Sequence, residues 1–372
     1  MTRLASLDAF RGFTIAAMVL VNNPGDWSHL YSQLAHAHWN GWTFTDWIFP
    51  FFLFIGGVSM TLSLGRAANA GADKPALLVK LARRAALIFL IGFALNLIPH
   101  FDFGTVRIPG VLQRIAICTM LAAPIVVYCT WRAQLAWIAA LLSAYSVVML
   151  ALPVPGIGAG VLEPGKDAGA WIDRLLLGGH LWAQSKTWDP EGLLSTVPAL
   201  CSQLLGVLAG RWLLARQAQA EKTVWMLLAG LLLLWLGAIL DVILMPINKA
   251  LWTPSFCLFT AGWALLLFSA FYWLLDARPQ EIALRWSKPL TIYGMNALFI
   301  FAFSGLVAKM LSFITLAQPD GSRITLAAWL YAPLRALDIA PVNSSLLYAL
   351  LFNAAMFAVA WFMWRNKWYV KV

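Results

Sequence analysis

Long apolar runs recur along the whole of this 372-residue chain and constrain its fold more than any other feature. Helices of about 20 apolar residues are long enough to cross a hydrocarbon layer of about 30 Å. Only 11% of the residues are charged, against roughly 25% in an ordinary soluble domain. The sequence therefore predicts an all-α, polytopic transmembrane helical bundle that forms a single domain over residues 1–372. We place about ten spans, near residues 8–23, 44–65, 79–98, 110–130, 134–153, 192–213, 223–245, 253–275, 289–314 and 343–364.

The segment 315–342 allows two interpretations. It contains Pro319 and Gly321 followed by a mixed apolar stretch. One interpretation is a loop with an interfacial helix, and the other is an eleventh, re-entrant piece.

Lysine and arginine are unequally shared between alternate loops, which predicts the orientation. One set of loops is rich in them, for example Arg66, Lys74, Lys80, Arg83 and Arg84 between the second and third spans. The opposite set holds few basic residues but all five histidines. Cytoplasmic loops carry the positive excess, so both termini are predicted to be cytoplasmic. The same bias explains the net charge of +10 without a nucleic-acid partner.

The cysteines give no sign of a metal site. All four lie in apolar runs, without a CxxC pair or a histidine spacing suited to zinc; they are Cys118, Cys129, Cys201 and Cys257. We expect them to be small buried residues and expect no bound metal.

Ionisable groups occur within the predicted spans, where each costs at least a few kcal/mol. Asp46, Arg114 and Asp241 are such residues, and they must face the bundle interior or a water-filled cavity. More polar residues gather at the non-cytoplasmic mouths of five spans. This concentration predicts a central cavity open to that side. The clusters are 22–25, 36–46, 107–114, 189–192 and 248–249.

Basic residues on the cytoplasmic side allow two interpretations. They are Arg66, Arg83, Arg84, Arg285 and Lys288, and they either reflect the general positive bias or form a phosphate-binding collar. The stretch "RWSKP" at 285–289 is the best candidate for phosphate contacts. Asp8 and Arg11, one turn apart, could simply form an ion pair that orients the first helix.

Five blocks of the sequence carry a resemblance to a known family. They are "SLDAFRGFTIAAMVLVNNPG" (6–25), "HAHWNGWTFTDWIFPFFLFIGG" (36–57), "RIPGVLQRIA" (107–116), "DPEGLLSTVPA" (189–199) and "PINKALWTPSF" (246–256). Together and in this order they resemble the heparan-α-glucosaminide N-acetyltransferase family, a group of transmembrane acyltransferases. The resemblance extends over nearly the whole chain.

This resemblance implies an enzyme that takes acetyl-CoA from the cytoplasm and acetylates an amino sugar across the membrane. The catalytic histidine of the family falls on His36, whereas His38 occupies a variable position of the same block. His36 would act as general base or as transient acetyl carrier. By this resemblance we expect the protein to consist of the acyltransferase core, without the luminal domain of the lysosomal members. We therefore expect a multi-pass protein of a bacterial inner membrane that acts on a small periplasmic sugar; a homodimer is compatible with the family.

The expected site residues follow from the blocks and clusters together. Some of these residues have a simpler interpretation that does not involve a site. The acidic residues 189 and 191 could mark a helix start, and Trp39, Trp42 and Trp47 could belong to the aromatic belt at the membrane interface. We expect catalytic roles for His36, Asp46, Asn40 and Asn22, substrate contacts at Asp189, Glu191, Trp39, Lys249 and Arg114, and coenzyme contacts at Arg285, Ser287, Lys288, Asp8 and Arg11.

A secondary transporter of a small sugar or amino sugar is the alternative function. Ten spans and a polar cavity fit a transporter equally well. A transporter, however, needs a site at the membrane midplane with discontinuous helices, not a histidine at the outer mouth and basic residues at the inner one. A non-catalytic membrane protein would not explain why the ionisable residues Asp46, Arg114 and Asp241 occur within predicted spans.

Overall fold

Helices dominate the computed structural model, which describes residues 4–319 and 321–370. Within these residues they are α1 (Ala5–Val21), α2 (Phe44–Asn69), α3 (Lys74–Leu97), α4 (Val111–Tyr128), α5 (Trp131–Ala151), α6 (Ala168–Leu177), α7 (Thr196–Leu214), α8 (Gln219–Ile243), α9 (Pro254–Ala277), α10 (Glu281–Met295), α11 (Ala297–Phe313), α12 (Leu326–Arg335) and α13 (Pro341–Arg365). The predicted helical bundle is thereby confirmed.

The number of membrane spans depends on how one bent pair of helices is counted. By length and composition, seven helices of the described chain can cross a bilayer, or eight if α10 and α11 form one broken span. Two further predicted spans correspond to α1, which has 17 residues, and α3, which carries Lys80, Arg83 and Arg84 in its first half. The count of ten stays a prediction.

One predicted span is not a single helix. Residues 289–314 were expected to be continuous, but α10 and α11 meet at an angle of 71°. The break lies at Asn296, whose side chain binds the C-terminal segment instead of extending a helix. Its Nδ2 donates to the carbonyl of Trp368 and its Oδ1 accepts from the amide of Val370, each at 3.0 Å.

The segment after α11 contains a short β-hairpin that the sequence analysis did not predict. Strands β1 (Thr315–Ala317) and β2 (Arg323–Thr325) are antiparallel, with Thr315 opposite Thr325. Thr325 then caps α12 by accepting a hydrogen bond from the amide of Ala328. The predicted helix in this segment is present.

Glycines allow two central helices, α2 and α7, to pack closely. A Cβ atom at Gly57 would lie 1.9 Å from the carbonyl oxygen of Gln203, and one at Gly206 would lie 2.0 Å from that of Phe54. Small residues permit this approach, which membrane helices use in place of a hydrophobic driving force. The contact fixes the start of α2 beside the start of α7, at one end of the bundle.

Other contacts place α1 and α9 in the same frame. The carboxylate of Asp276 accepts from the amides of Ala5 and Ser6, so the start of α1 lies against the end of α9. The opposite end of α1 therefore lies beside the start of α9. Helix α9 also packs along α8.

Candidate active site

A cavity of about 600 Å³ lies where α1 ends, where α2 and α4 begin, and beside the loops that precede α7 and α9. Its walls combine polar side chains from five separate segments with the apolar side chains of Met18, Ile48, Phe49 and Val111. Ligand sites in proteins commonly have this composition, an apolar enclosure with a few convergent polar groups. We call it the His36 cavity.

His36 and Asp46 form a close polar contact in the cavity wall. Nδ1 of His36 lies 2.7 Å from Oδ1 of Asp46. A carboxylate offers only acceptors, so Nδ1 is the protonated ring nitrogen and Nε2 of the neutral ring carries a lone pair. The His36 side chain is 49% exposed while that of Asp46 is 1% exposed. The pair thus presents an oriented imidazole on a buried support.

The local sequence explains why Asp46 is so firmly held. It occupies the third position of α2, where its Oδ2 accepts from the amide of Thr43 at 3.0 Å, as in a capping box. The same oxygen accepts from the Thr43 hydroxyl at 3.1 Å and from the amide of Ala37 at 3.1 Å. Every partner is a donor, which suits an ionised carboxylate.

Lys249 brings a second titratable group to His36 from a distant loop. Its Nζ lies 2.9 Å from Nδ1 and 3.2 Å from Nε2 of the ring, and 3.6 Å from Oδ1 of Asp46. Nδ1 already donates to Asp46, so Nε2 is the ring atom that can accept from the ammonium. Burial lowers the pKa of Lys249, and the attraction of Asp46 and Glu191 offsets only part of that effect.

Asn40 connects these two loops rather than lining the cavity. Its Oδ1 accepts from Nδ2 of Asn248 at 3.1 Å, and the amide of Gly41 donates to the carbonyl of Ile247 at 2.7 Å. Asn248 is fully buried. These bonds explain how Lys249 reaches His36, and they place the predicted catalytic Asn40 in a supporting position.

Arg107 organises the acidic side of the cavity and was absent from the expected site residues. Its Nε donates to Oδ2 of Asp189 at 2.8 Å and its Nη2 to Oδ1 at 2.5 Å, and Nη2 also contacts Glu191. Burial raises the pKa of Glu191, but the charges of Arg107, Arg114 and Lys249 and the hydrogen bond from Arg107 together outweigh it, so the net shift is downward. Burial lowers the pKa of Arg107, yet the two carboxylates raise it overall. Arg107 belongs to the "RIPG" block, and Asp189 and Glu191 belong to the "DPEG" block. The sequence therefore contains all three residues, but only the structure shows that they form ion pairs.

Arg114 lies behind the cavity wall. It is 1% exposed, and its Nη2 donates to the carbonyl of Gly192 at 3.1 Å and to Oγ of Ser195 at 2.5 Å. Its guanidinium carbon lies 5.2 Å from the ring centre of Trp252. The residue expected to touch substrate therefore supports the start of α7 and the loop before it.

Three tryptophans form the aromatic part of the wall. Trp39 was predicted, whereas Trp182 and Trp188 come from the long connection between α5 and α7. Trp39 and Trp188 meet edge to face with ring centres 5.2 Å apart, and the Trp39 indole donates to the carbonyl of Leu162. Trp42 and Trp47 instead stack on one another; Trp47 also stacks on Trp263, and Trp42 contacts Phe259 in a tilted arrangement.

The remaining expected residues lie in different places. Asn22 and His38 line the cavity, Asn22 at the end of α1. Asp189 holds Arg107 from a fully buried position. The five expected coenzyme residues lie on α1 and α10, outside the wall of this cavity.

Those five residues do not share one cluster of hydrogen bonds in the described part of the chain. Arg11 donates to Asp8 at 3.2 Å and to Oγ of Ser59 at 2.7 Å. Arg285 is 82% exposed beside Glu281, and Lys288 lies over the ring of Trp364. The hydroxyl of Ser287 donates to the carbonyl of Leu284.

Comparison with known proteins gives consistent matches. Residues 3–239 match the family described as heparan-alpha-glucosaminide N-acetyltransferase, catalytic. The chain is 30% identical over 353 residues to the human heparan-alpha-glucosaminide N-acetyltransferase, covering 80% of this chain and 52% of the human protein. The mouse protein of the same name gives 30% identity, with 80% and 53% coverage. The chain spans about half the length of these curated relatives.

Proposed function

The chain belongs to the heparan-α-glucosaminide N-acetyltransferase family, and on that premise we propose that it is a membrane-bound acetyltransferase. It moves the acetyl group of cytoplasmic acetyl-CoA across the membrane to the amine, or a hydroxyl, of a periplasmic amino sugar. The observation that carries the proposal is the His36–Asp46 pair, with its 2.7 Å contact, in a 600 Å³ cavity at one end of the bundle.

The proposed topology follows the charge bias. Residues 1–372 form a single transmembrane acyltransferase domain of ten spans in a bacterial inner membrane, with both termini in the cytoplasm and the His36 cavity on the periplasmic side. We also expect a homodimer, because the family relationship is compatible with one.

His36 performs the proton chemistry in this proposal. Nδ1 donates to Asp46, which leaves Nε2 to remove a proton from the acceptor amine as its nitrogen attacks the thioester carbon. The carbon–sulfur bond then breaks, Nε2 gives the proton to the sulfur, and the coenzyme leaves as a thiol. In the two-step route, Nε2 itself takes the acetyl group first. Exchange of label between CoA and acetyl-CoA without acceptor would identify the second route.

Lys249 supports the reaction as an electrostatic group. Its ammonium lies within 3.2 Å of Nε2, next to the point where the tetrahedral oxyanion forms. A donor placed there contributes roughly 3 kcal/mol of transition-state stabilisation. Asn22, which lines the same cavity, is the second candidate donor.

The apolar part of the wall suits the acyl donor. Met18, Ile48, Phe49 and Val111 extend the cavity towards the interior of the bundle. The pantetheine arm is shorter than a bilayer is thick, so the thioester needs such a protein-lined path. The phosphates would remain at the opposite end, near Arg11, Arg285, Ser287 and Lys288 and the Asp8 that pairs with Arg11.

The polar and aromatic parts suit a sugar. Trp39, Trp182 and Trp188 offer apolar surfaces for a pyranose ring, and Glu191 offers an acceptor for its hydroxyl or ammonium groups. Asp189 acts indirectly, because its carboxylate holds Arg107.

Sealed liposomes test the proposal directly. Acetyl-CoA labelled in the acetyl group is placed on one side of the membrane and a panel of amino sugars on the other. Labelled acetyl-sugar should form only on the far side, and His36→Ala should abolish it. Passage of unmodified sugar would instead identify the transporter alternative, and full activity of His36→Ala would refute the role given to His36.

A further inference from the structure

A second large cavity faces the bilayer on the other side of α4 and is unrelated to the His36 cavity. It is a groove of about 590 Å³ between α4, α5 and the start of α7. Its lining is almost entirely apolar and includes Leu121, Pro124 and Ile125 of α4, Trp137 and Leu141 of α5, and Leu200 of α7. We call it the α4–α5 groove.

The length of the groove matches one leaflet of a membrane. On α4 it extends from Ile117 to Cys129, which at about 1.5 Å per residue is about 18 Å. Half of a hydrocarbon layer is about 15 Å. The groove therefore has the length of one lipid acyl chain lying along the bundle.

The two ends of the groove differ in charge. At the turn between α4 and α5, Nζ of Lys74 lies 5.2 Å from the ring centre of Tyr128. Arg211 approaches the same turn and donates through Nη2 to the carbonyls of Cys129 and Val126, at 2.8 and 3.2 Å. The other end is lined by Leu193, a hydroxyl-bearing threonine and further apolar side chains.

Arg211 also has unused donor capacity. Within residues 4–319 and 321–370, its Nε is buried and makes no hydrogen bond. A buried guanidinium nitrogen without a partner is unfavourable, and a phosphate oxygen would supply the missing acceptor. Tyr128, 57% exposed at this end, is the amphipathic residue typical of a headgroup region.

We propose that the α4–α5 groove binds one acyl chain of an anionic phospholipid, with the phosphate between Lys74 and Arg211. The apolar lining and the length select an acyl chain, and Lys74 and Arg211 at one end select a negatively charged headgroup. This inference does not depend on the proposed acetyltransferase activity.

Native mass spectrometry of the purified protein tests the inference. Phosphatidylglycerol and phosphatidylcholine with identical chains are added in equal amounts, and bound adducts are counted as the collision energy rises. We expect phosphatidylglycerol to be retained preferentially. Lys74→Gln should reduce that preference about five-fold, since a basic residue near a membrane surface attracts anionic lipid.

Filling the groove provides an independent arm of the experiment. Leu141→Trp occupies the middle of the groove and should remove adducts of both lipids. Leu228→Trp, on the exposed face of α8, is the matched control and should leave them unchanged. Melting temperatures in detergent verify that all variants remain folded.

Three outcomes would overturn the inference. The first is equal retention of the two lipids, and the second is equal adduct loss in Leu141→Trp and Leu228→Trp. The third is a dimer in the native protein that becomes monomeric in Leu141→Trp, which would assign the groove to a second copy of the chain.

Discussion

The two ends of the bundle hold similar kinds of residues in different states of organisation. At the His36 cavity, His36, Asp46 and Lys249 form one group of polar contacts and Arg107, Asp189 and Glu191 form another. The side chains of Asp46 and Asp189 are nearly inaccessible to solvent. At the opposite end, Arg285 is 82% exposed, Lys288 lies over Trp364, and Arg11 pairs with Asp8 on its own helix. The comparison indicates a pre-organised candidate site at one end and a loosely held electrostatic surface at the other.

The largest expected effect is at His36. His36→Ala should reduce acetyl transfer by about 10²–10⁴-fold, the range for loss of a general acid–base group. His38 lines the same cavity without a carboxylate partner in the described chain, so His38→Ala is the matched control and should change the rate by less than about three-fold. The rates are measured in sealed liposomes. Equal losses in both variants would contradict a special role of the His36–Asp46 pair.

Asp46→Asn should rank second, with a loss that approaches that of His36→Ala and is at most about 10⁴-fold in kcat. The amide can no longer accept all four donors, so Nδ1 of His36 loses its fixed partner and the ring its orientation. Asp26 pairs with His29 at 2.9 Å on the exposed surface, and Asp26→Asn should leave the rate unchanged. Thermal unfolding separates a catalytic loss from a folding defect; a rate that falls only in proportion to folded protein would argue against orientation by Asp46.

Lys249→Met should lower kcat by about 10–100-fold through loss of the cation beside the oxyanion. Lys249→Arg keeps the charge and should recover a substantial part of the rate. The separate measurement of kcat and KM is decisive here. A rise of KM for the sugar at constant kcat would instead make Lys249 a substrate-binding residue only.

The buried carboxyl group of Asp173, which supports the loop before α7, should make the stability of the protein depend on pH. Burial raises its pKa to about 6, above the ordinary 3.8, while its Oδ1 accepts from the amide of Leu193 before α7. The folded state thus binds this proton more tightly than the unfolded chain, so the contribution of Asp173 to stability is fully present below about pH 4 and is lost as the pH rises through about 6. The contribution is on the order of 1–3 kcal/mol. Asp173→Asn should weaken the dependence of melting temperature on pH between pH 4 and 7. If this dependence is the same in the variant, Asp173 is not its cause.

The smallest effect is expected at the opposite end. The double variant Arg285→Gln/Lys288→Gln should raise KM for acetyl-CoA by about two- to five-fold at low salt and less at high salt, because exposed charges are screened. Lys166→Gln, a similarly exposed lysine beside Glu163, is the control. A loss as large as that of His36→Ala would show that this end is as organised as the His36 cavity.

Much of the fold could be predicted because it depends on local properties. Apolar runs define helices wherever they occur, and Thr43 with Asp46 marks the start of α2 through a capping box visible in the sequence. The break at Asn296 could not be predicted in the same way. It depends on hydrogen bonds to Trp368 and Val370, more than 70 residues away.

For the site, the sequence by itself determined the polar blocks and the helix starts that carry them. Only the tertiary structure decided which members of these blocks meet. It brings Lys249 to His36 across 213 residues and Arg107 to Asp189 across 82, and it turns Arg114 into the buried support of a loop. The physical reason is that hydropathy and capping act over one or two helical turns, whereas the pairing of charges depends on how whole helices pack.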